Sequence, residues 1–457
     1  MKFKPLKKIA YLQLVVLHIV IAIIVTVIPV FAKVYSISVL LIFLFLILKS
    51  RNKNNEVLVA AAYFTSCEVF LRMTNGGIAY EFGKYVVIGL LLIGLFYRGA
   101  SSRSGPYWLY LILLTPGILF AAMYLNPETN VRNTVLFNLT GPVCLGLSAI
   151  YCYRRSISTR RLQHIILALL LPVITMTVYL FFNTPDIGDI LGSTQSNHEA
   201  SGGFGPNQVA TTLGIGIFVL LTRLFYIKNK FINILDLILL ALVTYRGLVT
   251  FSRGGIITGL ICAIAFVGIY FLRGNIKTKA FLIPRLSIIA IILASTFAFT
   301  AIKTSGLITN RYTNKDAAGR LKTDITTGRA ELITSELEAF YDKPITGIGI
   351  GKIREYRYEK TKILAATHNE FSRLLSEHGI LGIVILLILV LTPLLYRFKN
   401  RRNNYFYAFL LFWALTISHS SMRIAAPAFI YGLCLLNVTY ETSPLRRKQT
   451  SAARLHT

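Results

Sequence analysis

The sequence predicts an all-α fold: a polytopic transmembrane helical bundle of about 12–14 spans with one long, partly helical loop. Apolar residues make up 54% of the 457 residues, whereas charged residues make up only 15%, against about 25% in soluble domains. The apolar residues form blocks of about 17–22, which is the length of a helix that crosses a bilayer. Short basic runs between the blocks are typical of the loops of a membrane protein.

The apolar blocks define about 14 candidate spans. The first block follows a basic start, as in a signal peptide, but no small-residue cleavage site comes after it, so we expect an uncleaved first helix. The second and fourth blocks are short, and about 12 spans remain if neither crosses the membrane. The blocks lie at residues 9–31, 33–48, 56–72, 83–97, 107–125, 132–151, 163–182, 207–226, 231–249, 252–272, 284–303, 379–396, 404–421 and 424–440.

The basic residues predict the orientation of the spans. With the N-terminus inside, 28 of the 48 Lys and Arg residues fall in inside segments and only 7 in short outside connections, as the positive-inside rule requires. We therefore expect a multi-pass protein with both termini in the cytoplasm. The net charge of +29 does not indicate a nucleic-acid partner, because the charges are dispersed between apolar blocks and form no stripe.

This topology divides the chain into four parts. Residues 1–303 hold about 11 spans, and residues 304–378 form a long polar loop on the outside. Residues 379–440 hold the last spans, and residues 441–457 form a basic cytoplasmic tail.

Two helices are predicted inside the long loop. Apolar residues of the segment 328–344 fall close to one face of a helix, and Pro344 ends it. Its acidic residues indicate a solvated face, with a paired-carboxylate site as the less favoured alternative. A second helix opens at Thr367–Phe371. The acidic residues of the first of these helices are Glu331, Glu336, Glu338 and Asp342.

Three arginines on the outside oppose the positive-inside bias. Arg253 lies in a tight turn between two spans, Arg329 opens the first loop helix, and Arg423 lies at the outer end of the penultimate span. A guanidinium donates two parallel hydrogen bonds to a phosphate, and a helix N-terminus adds its dipole. Each arginine alone could instead reach lipid headgroups, but three at one face favour a phosphate site.

His368 is the candidate general base. It lies in a polar loop at the start of a helix that leads into a span, and an imidazole can accept a proton from a sugar hydroxyl near neutral pH. The alternative is a surface or helix-capping histidine, which is the commoner role of a single histidine.

Two further motifs contain residues that could support a site. Asn207 and Gln208 stand where an outer loop enters a span, and either hydrogen-bond a ligand or cap the helix. The glycines of residues 347–351, among them Gly347 and Gly349, lack the spacing of a dinucleotide loop and indicate close backbone packing.

Five motifs together resemble a known family. They are FGPNQ at residues 204–208, SRGG at 252–255, GR at 328–329, PITGIG at 344–349 and THNEF at 367–371. Their order, and the single long loop late in the chain, resemble the O-antigen ligase and O-antigen polymerase superfamily of bacterial membrane glycosyltransferases. The resemblance covers roughly residues 200–400.

The resemblance implies a multi-span, GT-C-like glycosyltransferase of the bacterial inner membrane that needs no cofactor and no metal. The donor would be a glycan on undecaprenyl pyrophosphate. The acceptor would be a sugar hydroxyl on lipid A–core for a ligase, which we favour narrowly, or on a growing glycan for a polymerase. The predicted span number exceeds the dozen or so usual in ligases.

The resemblance also implies roles for the singled-out residues. His368 would activate the acceptor hydroxyl, and Arg253 and Arg329 would hold the donor pyrophosphate. Arg423 is assigned to the same pyrophosphate because of its position at the outer face and not because of a family motif. Asn369 within THNEF is expected to support the site. Two alternatives remain: a transporter or flippase of lipid-linked glycan, disfavoured because polar residues are sparse in mid-membrane, and a non-catalytic assembly subunit.

Overall fold

The computed structural model describes residues 8–190, 192–324, 326, 328–362, 365–399 and 401–439. These residues form a helical bundle with a single pair of short strands. The helices are α1 (Lys8–Val27), α2 (Phe31–Ser50), α3 (Glu56–Met73), α4 (Phe82–Arg98), α5 (Gly105–Leu113), α6 (Thr115–Tyr124), α7 (Val131–Cys152), α8 (Thr159–Phe182), α9 (Ile187–Ile190), α10 (Pro206–Tyr226), α11 (Lys230–Val249), α12 (Arg253–Arg273), α13 (Ile276–Lys303), α14 (Leu307–Tyr312), α15 (Arg329–Asp342), α16 (Ile353–Thr361), α17 (Glu370–His378), α18 (Ile380–Lys399), α19 (Phe406–His419) and α20 (Ala425–Cys434).

Ten stretches of helix in the described part of the chain are long and apolar enough to cross a membrane, by length and composition. They are α1, α2, α5 with α6, α7, α8, α10, α11, α12, α13 and α18. The helices α19 and α20 are apolar but shorter. The all-α, polytopic membrane fold that the sequence predicts is confirmed.

The predicted spans differ from the helices in three places. The second block is not short, because α2 has 20 residues. The third does not qualify as a span by composition, because α3 carries Glu56 in addition to the buried ion pair of Glu68 and Arg72. The last block ends early: α20 stops at Cys434, and residues 437–439 form β2, which pairs in parallel with β1 (Ser156–Ser158). A local hydropathy pattern does not reveal that pairing, since its partner lies far away in the chain.

Glycines hold α10 against α12 at the centre of the bundle. α10 is buried along almost its whole length. A Cβ atom added to Gly255 would stand 2.2 Å from the carbonyl carbon of Ala210, and one on Gly259 would stand 2.4 Å from the carbonyl oxygen of Gly214. The two backbones are therefore in direct contact, as small residues permit between membrane helices.

The two long connections, residues 183–205 and 304–379, lie over one end of the bundle, which we call the loop face. α10, α12, α18 and α20 begin there, and α11, α13 and α19 end there. The connections touch each other, since the Thr194 hydroxyl donates to the Lys315 carbonyl oxygen at 3.1 Å. Both predicted loop helices are present as α15 and α17, whereas α14 and α16 are additional.

We expect Gly255→Ala to lower the free energy of unfolding by about 1–3 kcal/mol, because the added Cβ atom would force α10 away from α12. Gly268→Ala in the same helix is the matched control, since nothing lies within 4 Å of its added Cβ atom. The control should be neutral or stabilise the protein by up to about 1 kcal/mol. Thermal unfolding of the purified variants measures the difference, and equal midpoints would contradict the close contact.

Candidate functional site

A cavity of about 700 Å³ opens at the loop face. We call it the cationic cavity. Its wall combines the turn before α10, α14, the first turn of α15, the loop before α17 and the connection between α19 and α20. Five residues singled out from the sequence line it: Asn207, Gln208, Arg329, His368 and Arg423.

Arg253 lies behind this cavity. It is the first residue of α12, and its Nη1 donates to the carbonyl oxygen of Arg311 at 3.2 Å and to Oδ1 of Asn314 at 2.6 Å. Next to it, the Ser252 hydroxyl donates to Oδ1 of Asn207 at 2.7 Å. The SRGG turn therefore holds the beginning of α10 and α14, both of which contribute to the cavity wall.

Arg311 is a cavity residue that sequence reasoning missed. It is 9% exposed, and its Nε donates to the carbonyl oxygen of Phe251 at 3.0 Å. One basic residue among many in a polar loop carries no signal of its own. Its importance follows from α14, which places it against the turn before α12. His198 also lines the cavity.

The remaining predicted residues are structural supports outside the cavity wall. Oδ1 of Asn369 accepts a hydrogen bond from the backbone N–H of Phe371 at 2.8 Å and caps α17. A Cβ atom on Gly347 would stand 2.4 Å from the carbonyl carbon of Glu377, and one on Gly349 would stand 2.5 Å from the backbone nitrogen of Ala121. This confirms the prediction of close backbone packing in the glycine turn.

The arginines at the cationic cavity are not neutralised. Among the described side chains, no carboxylate forms an ion pair with Arg253, Arg311, Arg329 or Arg423, although four arginines elsewhere in the described part of the chain have such partners. Burial, followed by the charges of Arg253 and Arg329, lowers the pKa of Arg311 to about 10. The cavity thus offers fixed positive charge to an anion. The paired arginines are Arg72 with Glu68, Arg223 with Asp236, Arg357 with Glu336 and Arg373 with Glu370.

His368 is held as a neutral imidazole. Burial, and then the charges of Arg423, Arg329, Arg357 and His419 in that order, together lower its pKa to about 4. Its carbonyl oxygen accepts a hydrogen bond from the backbone N–H of Ser421 at 3.1 Å. At neutral pH the ring is unprotonated and can accept a proton.

Glu336 corrects the prediction of a wholly solvated acidic face on α15. Glu331, Glu338 and Asp342 are exposed, but Glu336 is fully buried. Its carboxylate pairs with Nη2 of Arg357 at 2.8 Å, because α16 packs over this face of α15.

The buried Glu336 also positions the loop that carries His368. Its carboxylate accepts hydrogen bonds from the Thr367 hydroxyl at 2.9 Å and from the Ser372 hydroxyl. Arg357 donates to the carbonyl oxygen of Ala365 at 2.5 Å. The pair therefore holds both ends of the short segment before α17, and His368 lies between these anchors.

No group of three or more His, Cys, Asp and Glu side chains in the described part of the chain is arranged to hold a metal ion.

Part of the chain matches a known protein family. Residues 237–387 match the family model described as O-antigen ligase. The matched range includes Arg253, Arg311, Arg329 and His368, and it ends before Arg423. No curated protein and no solved structure matches the chain. The match confirms the family resemblance that the motifs predict.

We expect Arg357→Met to lower stability by about 3–5 kcal/mol, because it leaves the Glu336 carboxylate buried without its partner. The double variant Arg357→Met/Glu336→Leu should recover part of that loss. Arg320→Met is the control: it breaks an ion pair with Asp316 in which the Arg320 side chain is 80% exposed, and should cost less than about 1 kcal/mol.

Thermal unfolding, together with limited proteolysis of the segment 328–378, measures these three variants. An Arg357→Met protein as stable and as protease-resistant as the Arg320→Met protein would contradict the anchoring role of the buried pair.

Proposed function

We propose a specific ligase activity, which the match of residues 237–387 to the O-antigen ligase family supports. The protein moves a glycan from undecaprenyl pyrophosphate to a sugar hydroxyl of lipid A–core at the periplasmic face of the inner membrane. The observation that carries the proposal is the cationic cavity, in which unpaired arginines and a neutral His368 line the same wall.

The donor diphosphate would bind among Arg311, Arg329 and Arg423. Each guanidinium can donate paired hydrogen bonds to phosphate oxygens, and the site lacks the negative charge that a diphosphate brings. When the glycosyl bond breaks, the electron pair remains on the diphosphate oxygen. Fixed positive charge stabilises that developing charge, and Arg253 contributes from behind the wall.

His368 would act on the acceptor. Its unprotonated ring nitrogen takes the proton of the acceptor hydroxyl while the hydroxyl oxygen forms a bond to the anomeric carbon of the donor glycan. The bond from that carbon to the diphosphate oxygen breaks, and undecaprenyl pyrophosphate leaves on its lipid carrier. The energy of transfer resides in the donor, so no nucleotide is needed outside the cytoplasm.

A polymerase would use the same cavity, with a hydroxyl of a growing glycan as the acceptor. The matched family supports an enzyme of the ligase or polymerase type, and the same motifs serve both functions. Deletion of the gene separates the two functions: loss of a ligase leaves polymerised glycan on the carrier, whereas loss of a polymerase leaves single repeat units.

Purified protein supplied with undecaprenyl-pyrophosphate glycan and lipid A–core tests the proposal. We expect His368→Ala to lower transfer by about 10²–10⁴-fold and Arg329→Ala by about 10²–10³-fold. His164→Ala, on the opposite side of the bundle from the loop face, and the exposed Arg320→Ala are matched controls that should keep full activity. Full activity of His368→Ala would remove the mechanism, and translocation of labelled lipid without transfer would indicate a transporter instead.

The pH profile provides a second test. Because His368 must be unprotonated, activity is lost as the pH falls through its pKa. In the free protein that pKa is about 4, so the acid limb of kcat/KM should lie near pH 4 and not near the ordinary histidine value of about 6.5.

A bound diphosphate offsets the charges of Arg423 and Arg329, so the acid limb of kcat should lie at higher pH than that of kcat/KM. Removing one of these charges with Arg423→Gln should likewise move the acid limb of kcat/KM to higher pH. If the acid limbs of kcat and kcat/KM coincide near pH 6.5, the pKa of His368 is not lowered by its surroundings and the prediction is contradicted.

A further inference from the structure

A second cavity of about 540 Å³ lies beside the cationic cavity. It is bounded by the first turns of α7, by α16 and by the loop before α17. We call it the α7 cavity. Its volume is within the range of roughly 300–1,000 Å³ that is usual for small-molecule sites.

Only a thin wall separates the two cavities. Thr367 lines the α7 cavity, and His368, the next residue, lines the cationic cavity. Arg423 lines both, and its Nη2 donates to the carbonyl oxygen of Thr367 at 2.7 Å. A ligand in the α7 cavity would therefore lie one residue away from the proposed base.

The α7 cavity carries less net positive charge than the cationic cavity, because its lining contains two carboxylates, Glu355 and Glu370, besides the three arginines Arg354, Arg373 and Arg423. Arg373 pairs with Glu370 and donates to Oδ1 of Asn138 at 2.8 Å. Glu355 is held by Lys352, whose Nζ lies 2.9 Å away. The cationic cavity has no carboxylate in its lining, so a diphosphate is drawn there and not into the α7 cavity.

One face of α7 has the chemistry that binds a sugar. Asn133, Thr134, Phe137 and Asn138 lie on the same side of its first turns and line the cavity. The Phe137 ring is 43% exposed and has the guanidinium of Arg423 5.9 Å from its centroid. An aromatic ring packs against the apolar C–H face of a pyranose, while amide and hydroxyl groups bond its hydroxyls.

We propose that the α7 cavity is the acceptor subsite, in which Phe137 stacks against a terminal sugar of the acceptor glycan and Asn133 bonds its hydroxyls. This inference rests on the proposed function. The acceptor and the donor diphosphate then approach the Thr367–His368 wall from opposite sides and meet at Arg423.

Steady-state kinetics of the full-length protein, with donor and acceptor varied separately, test this subsite. We expect Phe137→Ala to raise the acceptor KM roughly tenfold, with the donor KM and the kcat at saturating acceptor unchanged. Asn133→Ala should raise the acceptor KM severalfold. Phe137→Tyr keeps the ring and should restore the wild-type value. Phe45→Ala, on the exposed surface of α2, is the matched control and should change neither KM.

The outcomes separate the two proposals. No transfer by the wild-type protein would reject the function itself. Transfer by the wild type with an unchanged acceptor KM in Phe137→Ala, or with a raised donor KM instead, would overturn the subsite alone. If Phe137→Ala does not fold, the comparison of Asn133→Ala with Phe137→Tyr decides: a raised acceptor KM in the former alone supports the subsite, and equal values overturn it.

Discussion

Mutual repulsion among clustered guanidinium groups is the constraint around which the loop face is built. Four arginines approach one cavity without a carboxylate partner among the described side chains, and burial strengthens their repulsion because the local dielectric is low. Backbone carbonyl groups hold three of them in place. Arg311 donates to Phe251, Arg253 to Arg311 itself, and Arg423 to Thr367. These bonds fix the positions of the positive charges but do not cancel them, so the cavity retains its affinity for an anion.

The distribution of the few acidic residues supports this account. The chain has 19 Asp and Glu against 48 Lys and Arg. Two of the buried carboxylates form ion pairs with arginines that stabilise the loop face. Glu336 neutralises Arg357 beneath the loop of His368, and Glu370 neutralises Arg373 beside the α7 cavity. Arg357 and Arg373 thus differ from the arginines of the cationic cavity in having a carboxylate partner.

Helix packing determines where the site lies. The glycine contact between α10 and α12 brings the beginnings of both helices together, so that Ser252 reaches Asn207 and Arg253 reaches α14. The second anchor is the buried pair of Glu336 and Arg357, which holds the segment before α17. A rigid bundle on one side and a pinned loop on the other give His368 a defined place at the cavity wall, which a proton transfer requires.

The sequence by itself determined the membrane fold, the long loop and five of the residues that line the cavity, because each depends on local information. Hydropathy blocks predict helices directly, and Arg329, Arg423 and His368 each stand out against their immediate surroundings. Only the tertiary structure revealed that Glu336 is buried, that Arg311 lines the cavity while Arg253 stands behind it, and that β2 ends the last helix early. Each of these depends on a partner far away in the chain, such as Arg357 on α16 for Glu336 or Ser156–Ser158 for β2. The local sequence pattern does not predict such contacts, because it contains only the neighbouring residues.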